Sequence, residues 1–228
     1  MQNPIIVALD VASVDEARGL VKQLGDAVAM YKVGLELFTL AGRAFVDELR
    51  LEGRGIFLDL KFYDIPETVK RATAQVAALG VDLLTIHASS QSVMRGAVEG
   101  RGSAGLRLLG VTVLTSFDQH DLADLGTPKS VPELVAQRAA GARDAGMDGI
   151  VCSPLEAAAM RALMGPEKLL VVPGIRPAGS DAGDQKRIAT PRQAIDAGAS
   201  YLVIGRPITR AADPRGAAMR ILDEINGS

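Results

Sequence analysis

The sequence predicts a single-domain α/β fold, a (β/α)8 TIM barrel over residues 1–228, and three observations carry that expectation. Eight short apolar runs of strand length recur along the chain, at 4–9, 29–33, 55–60, 82–86, 107–114, 149–152, 169–172 and 201–204. Between them lie segments rich in Ala, Leu, Arg and Glu, such as 14–24, 65–79, 132–145 and 154–163, whose apolar residues recur at three- and four-residue steps. The length, 228 residues, suits one such barrel with a continuous core.

The runs are continuous in Val, Ile and Leu rather than alternating with polar residues. That is the pattern of parallel strands buried on both faces, and eight strand–helix units close naturally into a barrel. An open doubly wound sheet is the weaker alternative. Gly-Val-Asp82, Gly-Met-Asp148 and Gly-Ala-Ser200 each precede a strand and read as helix C-caps leading into it. No linker, charge block or low-complexity tract suggests an internal boundary. The stretch 176–187, with two glycines and a proline after a strand, reads as a mobile loop.

Composition excludes several classes. Lys plus Arg number 25 against 27 Asp plus Glu, a formal net charge of −2, so there is no basic excess to neutralise a nucleic-acid backbone. An anionic ligand must be captured locally. The N-terminal segment lacks a basic stretch and a long apolar one, and no run reaches the roughly 18 apolar residues a membrane span needs. Neither secretion nor membrane insertion is expected. The single cysteine, Cys152, ends an apolar run and reads as a buried strand thiol, which fits a reducing cytoplasm.

In a barrel the site is built at the C-terminal ends of the strands, so polar residues interrupting those ends are the candidates. They are Asp10, Lys32, Asp59, Lys61, His87, Thr115, Ser116, Arg176 and Arg206. Charges in apolar strand ends are costly unless paired, and here both signs occur. Asp59 and Lys61, two apart, project from the same face of an extended strand, with Asp64 beyond it. A plain structural account is an ion pair plus a helix N-cap at Asp64 before Pro66. Lys32 on the neighbouring strand argues for more: Lys32, Asp59, Lys61 and Asp64 make an alternating four-charge cluster where one pair would suffice for packing.

Gly205-Arg206 directly after the eighth strand places a guanidinium and backbone N–H groups at a usual barrel phosphate position. Arg176 and Gln185 could close over the same anion, although Gln185 alone reads as a solvated loop residue. Gly100-Arg-Gly-Ser-Ala-Gly105 matches G-x-G-x-x-G but follows a helix and precedes a strand, the reverse of the dinucleotide-binding context. His87 and His120 lack metal-ligand spacing, and read as structural and surface residues respectively. No metal site is expected.

These segments together resemble the orotidine 5′-phosphate decarboxylase family in its bacterial form. The matching stretches are Ala8-Leu-Asp10, Tyr31-Lys-Val-Gly34, Asp59-Leu-Lys61-Phe-Tyr-Asp64-Ile-Pro-Glu-Thr68, Val111-Thr-Val-Leu-Thr-Ser116, Pro173-Gly-Ile-Arg176, Gly183-Asp-Gln185 and Ile204-Gly-Arg206-Pro-Ile208. The resemblance implies that Lys61 protonates pyrimidine C6 and that Asp59 faces the departing carboxylate, with Lys32 and Asp64 completing the network. It also implies a homodimer in which Asp64 and Thr68 reach the neighbouring subunit's site. Asp10 and Lys32 would hold ribose hydroxyls, Thr115 and Ser116 the pyrimidine edge, and Arg176, Gln185, Gly205 and Arg206 the phosphate region. No cofactor is implied. Tyr63, where many relatives carry His, is the one departure within the central motif.

Two rivals remain at this stage. A sugar-phosphate decarboxylase or hexulose-phosphate synthase of the same structural group shares Asp-x-Lys-x-x-Asp but uses a Mg2+-held enediolate; the Thr115-Ser116 turn and the Arg176/Gln185 loop favour the pyrimidine nucleotide. A non-catalytic nucleotide-phosphate binding barrel is the other, against which Lys61 and Asp59 argue.

Overall fold

The computed structural model describes residues 3–177 and 187–227. Eight strands, all parallel to their neighbours, run in chain order round a closed barrel: β1 (Ile5–Ala8), β2 (Met30–Gly34), β3 (Gly55–Phe62), β4 (Leu83–His87), β5 (Arg107–Val111), β6 (Gly149–Val151), β7 (Leu169–Val172) and β8 (Tyr201–Ile204), which pairs back onto β1. Helices α1 (Val14–Leu24), α2 (Leu35–Leu51), α3 (Pro66–Ala78), α4 (Gln91–Arg101), α5 (Gln119–Asp124), α6 (Val131–Asp144), α7 (Ala157–Met164), α8 (Pro191–Asp196), α9 (Arg206–Thr209) and α10 (Pro214–Asn226) fill the connections. None of the helices among the described residues is long and apolar enough to cross a membrane.

The two-residue period of the strands sorts the core into two shells. Ile6, Ala8, Phe57, Leu83, Leu109, Val171, Tyr201 and Val203 fill the barrel interior. Their neighbours along the strands, such as Ile5, Val7, Leu58 and Leu84, face outward into the layer under the helices. Both faces are therefore dry, which is why the strands read as unbroken apolar runs. Two residues above this interior layer, on the same faces, stand Lys32, Asp59 and Thr85: Lys32 follows Met30, Asp59 follows Phe57, and Thr85 follows Leu83. The inward period that packs the core thus delivers polar groups to the C-terminal mouth.

The Gly-x-Asp/Ser segments do more than cap helices. Gly80, Gly146 and Gly198 take positive φ at helix ends. The residue two places on then caps the start of the preceding strand: Asp82 accepts the Ile56 N–H at 2.8 Å, Asp148 that of Leu108 at 2.7 Å, and Ser200 that of Leu170 at 3.1 Å. Glycine serves a second purpose between α3 and α4. A Cβ on Gly100 would lie 2.0 Å from the Lys70 carbonyl oxygen, and one on Gly96 2.6 Å from that of Pro66. The first glycine of the G-x-G-x-x-G match is thus a helix-packing residue, and with Gly96 it sets how closely α3 and α4 approach each other.

Boundaries differ from expectation at two strands that bear the site. β5 stops at Val111, because the Thr112 hydroxyl turns to the Val151 carbonyl at 2.8 Å and a turn closes from the Phe117 N–H to the Leu114 carbonyl. β3 runs on to Phe62, but its register with β4 breaks between Leu58 and Phe62. Helix α5, six residues, is too short for apolar periodicity to reveal; Asp118 and Asp121 form its capping box.

Candidate active site

At the C-terminal mouth lies a cavity of about 560 Å³, within the range of small-molecule sites. It gathers Asp10, Lys32, Asp59, Lys61, Thr115, Ser116, Arg176, Gly205 and Arg206 from the ends of six strands. Every predicted strand-end residue except His87 is on that wall. Apolar Ala8, Phe57, Val111, Val151 and Val203 form its floor.

The charged residues form a chain of alternating sign. The Lys32 ammonium lies 2.7 Å from Asp10 Oδ1 and 3.6 Å from Asp59 Oδ2, and Lys61 Nζ is 2.8 Å from Asp59 Oδ1. Gly34 makes room for the first pair, since a Cβ there would stand 3.0 Å from Lys32 Nζ and 3.1 Å from Asp10 Oδ1. Lys32 is buried, its side chain 9% exposed, whereas Asp10 opens to solvent at 58%. Burial pushes the Asp59 carboxyl up, but the Lys32 and Lys61 charges and the hydrogen bonds from Lys61 and Thr85 outweigh it, holding it below the usual carboxylate range. Asp59 is therefore a partly buried, ionised carboxylate, its side chain 15% exposed, on the wall of an apolar-floored cavity.

Lys61 is not in an extended conformation. Its φ is 49°, the sole positive φ of a non-glycine among the described residues. The expectation that Asp59 and Lys61 share a face because the strand is extended is corrected: they meet across a bulge, with the left-handed residue folding the Lys61 side chain back onto Asp59.

Two further expectations change. Asp64 is not the N-cap of α3; Ile65 occupies that position, and Asp64 Oδ1 accepts the Ile65 N–H at 2.6 Å. Nor does Asp64 join Lys32, Asp59 and Lys61 within its own chain. The fourth charge of the alternating chain is Asp10. Asp64 and Thr68 are both exposed at the start of α3 and absent from their own chain's cavity wall. The neighbours of Asp64 in the chain, Tyr63 and Ile65, are apolar side chains 60% and 70% exposed; at the cavity rim Leu35 is 59% exposed.

Arg176 is buried, its backbone N–H donating to the Ala189 carbonyl at 2.9 Å and its guanidinium to the Ile175 carbonyl at 2.8 Å. Arg206 opens α9 directly after Gly205 and is exposed. Gln185 and most of the loop expected over 176–187 lie outside the described residues. His87, at the end of β4, meets the Tyr63 ring edge to face, with centroids 6.0 Å apart. Burial and the nearby Lys61 and Arg138 charges hold its imidazole below the ordinary histidine range, which favours the neutral form. Cys152 is buried, one residue beyond the end of β6 rather than within the strand, and desolvation pushes its thiol up to about 12, which leaves it inert.

The residue that sequence reasoning missed is Thr85. Its hydroxyl accepts the Lys61 N–H at 2.9 Å and donates to Asp59 Oδ1 at 3.0 Å. A threonine inside Leu-Leu-Thr-Ile-His is ordinary in a strand; its inward register beside Asp59 is the signal that would have found it.

A family model described as "Orotidine 5'-phosphate decarboxylase / HUMPS family" matches residues 3–221, nearly the whole barrel. The chain belongs to this family. The orotidine 5′-phosphate decarboxylase of Methylobacterium sp. (strain 4-46) is 55% identical over 224 residues, covering 97% of this chain and 94% of that relative. The orotidine 5′-phosphate decarboxylase of Rhodopseudomonas palustris (strain HaA2) is 53% identical over 221 residues, with the same coverage. Among solved structures, the orotidine 5′-phosphate decarboxylase of Lactobacillus acidophilus superposes with a TM-score of 0.88 at 37% identity, covering 99% of this chain and 100% of that one. The family's name joins decarboxylases with HUMPS enzymes, and these three relatives bear the decarboxylase name.

Proposed function

We propose that this chain is a carboxy-lyase that converts orotidine 5′-monophosphate to uridine 5′-monophosphate and CO2 in de novo pyrimidine synthesis, without a cofactor and as a cytoplasmic homodimer. The observation that carries the reading is the chain Asp10–Lys32–Asp59–Lys61 at the mouth of the cavity. The relatives' names support the substrate.

Decarboxylation breaks the bond between C6 and the carboxylate carbon. CO2 leaves, the electron pair stays on C6, and that carbon has no conjugated sink. Enzymes supply about 8–23 kcal/mol against such barriers. Asp59, held ionised, faces the place where the substrate carboxylate would sit, and two like charges about 4 Å apart repel by roughly 4 kcal/mol at an effective dielectric of 20. The repulsion vanishes as CO2 departs. Lys61 then offers its ammonium charge to the growing negative charge on C6 and delivers a proton to it, an interaction that strengthens toward the transition state. The neutral amine recovers its proton from solvent.

Asp10 and Lys32 suit ribose hydroxyls, Thr115 and Ser116 the pyrimidine edge, and Gly205, Arg206, Arg176 and Gln185 the phosphate. Asp64 and Thr68 act in the partner subunit's site; their exposure beside the exposed apolar Tyr63 and Ile65 supports a second copy of the chain covering this face. Asp10 and Asp59 are each engaged by a lysine ammonium, and Thr115, Ser116 and Arg176 line the same cavity, which favours the pyrimidine reaction over the enediolate one.

The test is CO2 release from orotidine 5′-monophosphate by purified protein before and after exhaustive chelation. Equal turnover in both samples is expected. Turnover that disappears with chelation, or none at all beside activity on a hexulose phosphate, would overturn the assignment.

A further inference from the structure

We propose that Thr85 is a positioning residue for the reaction above: its hydroxyl clamps the Lys61 backbone and the Asp59 carboxylate together, so that the proton donor and the repelling carboxylate hold one fixed separation. This rests on the proposed decarboxylase reading but concerns a residue outside its substrate contacts.

A hydroxyl has one proton to give. Because Thr85 Oγ1 accepts the Lys61 N–H at 2.9 Å, its own proton is free to point at Asp59 Oδ1, 3.0 Å away. That same carboxylate oxygen accepts from Lys61 Nζ at 2.8 Å. The three residues therefore close a small ring, running from the Lys61 amide through Thr85 and Asp59 back to the Lys61 ammonium. The ring spans the irregular segment of β3, where Asp59, Leu60 and Lys61 lie between the paired residues Leu58↔Leu84 and Phe62↔Ile86, opposite Thr85 alone. A left-handed backbone at a residue with a Cβ is disfavoured and persists only where its surroundings hold it. The Thr85 hydroxyl is the side-chain group that holds it.

Burial makes the arrangement exact in its demands. Thr85 is fully buried, so water cannot take over either hydrogen bond when the hydroxyl is removed. Its β-branched side chain has little χ1 freedom, which fixes the oxygen's direction. The titratable groups facing Asp59 are Lys32 from β2, Lys61 from β3 and His87 from β4, with Asp10 sharing Lys32. None of these is itself substituted when Thr85 is changed, so an effect on Asp59 reports the loss of the hydroxyl and the shift of Lys61 that follows from it.

Thr85→Val keeps the shape and removes both hydrogen bonds; Thr85→Ser keeps the hydroxyl. For Thr85→Val we expect kcat to fall at least tenfold with KM changed less than threefold. The midpoint for protonation of Asp59, followed by carboxyl-carbon NMR on aspartate-labelled protein, should rise. Thr85→Ser should restore most of both. If the Val variant does not fold, Thr85→Ala removes the same hydroxyl and the same two readouts apply. A folded Val or Ala variant with wild-type kcat and an unmoved Asp59 midpoint overturns the proposal, as does a Ser variant impaired as severely as the Val one. A wild-type protein that releases no CO2 would sink the decarboxylase reading, while the NMR comparison still decides whether Thr85 positions Asp59.

Discussion

Arg187 and Glu156 form an ion pair beneath the rim of the site, both side chains nearly buried at 12% and 10% exposure. Arg187 also donates to the Leu114 carbonyl at 2.8 Å, beside the Thr115-Ser116 turn, while Glu156 accepts the Ser153 N–H at 2.9 Å. One guanidinium thus ties the segment after β5 to the segment after β6. Leaving one member of such a pair buried alone costs about 3–5 kcal/mol. Arg187→Met should therefore lower Tm by roughly 6–20 °C, measured by calorimetry, and raise KM through the loosened turn. Arg187→Met/Glu156→Gln should recover at least half of the lost stability. Equal instability in single and double variants would mean that the pair's charges are not what matters.

The shared-site reading predicts complementation. Lys61→Ala and Asp64→Ala should each be nearly inactive alone. In a mixed dimer one site receives both damaged residues and the other neither. Random reassortment makes half the dimers mixed, so co-refolded equal amounts should show about a quarter of wild-type activity. Activity no greater than the sum of the residual values, in samples whose mixed dimers are confirmed by mass spectrometry, would place Asp64 in its own chain's site.

Arg206→Ala should reduce kcat/KM for orotidine 5′-monophosphate by roughly 10- to 100-fold, the equivalent of about 1.5–3 kcal/mol for a charge-assisted hydrogen bond to phosphate. The nucleoside without phosphate should be turned over equally by variant and wild type. Equal losses on both substrates would remove Arg206 from the phosphate site.

His87 gives the pH prediction. Its folded-state value is depressed by burial, Lys61 and Arg138, so on acidification the unfolded chain takes up the proton first. Its contribution is present above the unfolded value of about 6.5 and is lost as pH falls through the folded one. Urea unfolding at pH 7.5 and 5.0 should show a smaller drop for His87→Asn than for wild type. An identical drop would mean that other groups carry the acid sensitivity.

The eight strands were legible because each is buried on both faces, which leaves an unbroken apolar run in the chain; β7 and β8 fall where the sequence places them. The candidate residues were legible because a charge at the end of such a run is costly without a partner, and nine of the twelve named site residues meet at one cavity. By itself the sequence determined the barrel, the family and the list of polar strand ends. Tertiary structure alone decided how those residues combine. Asp10, not Asp64, completes the intrachain charge chain, because Asp10 follows β1 beside Lys32 whereas Asp64 lies exposed beyond the end of β3. Thr85 becomes part of the site only through the register of β4 against β3, since hydrogen-bond partners 24 and 26 positions apart leave no local pattern in the chain.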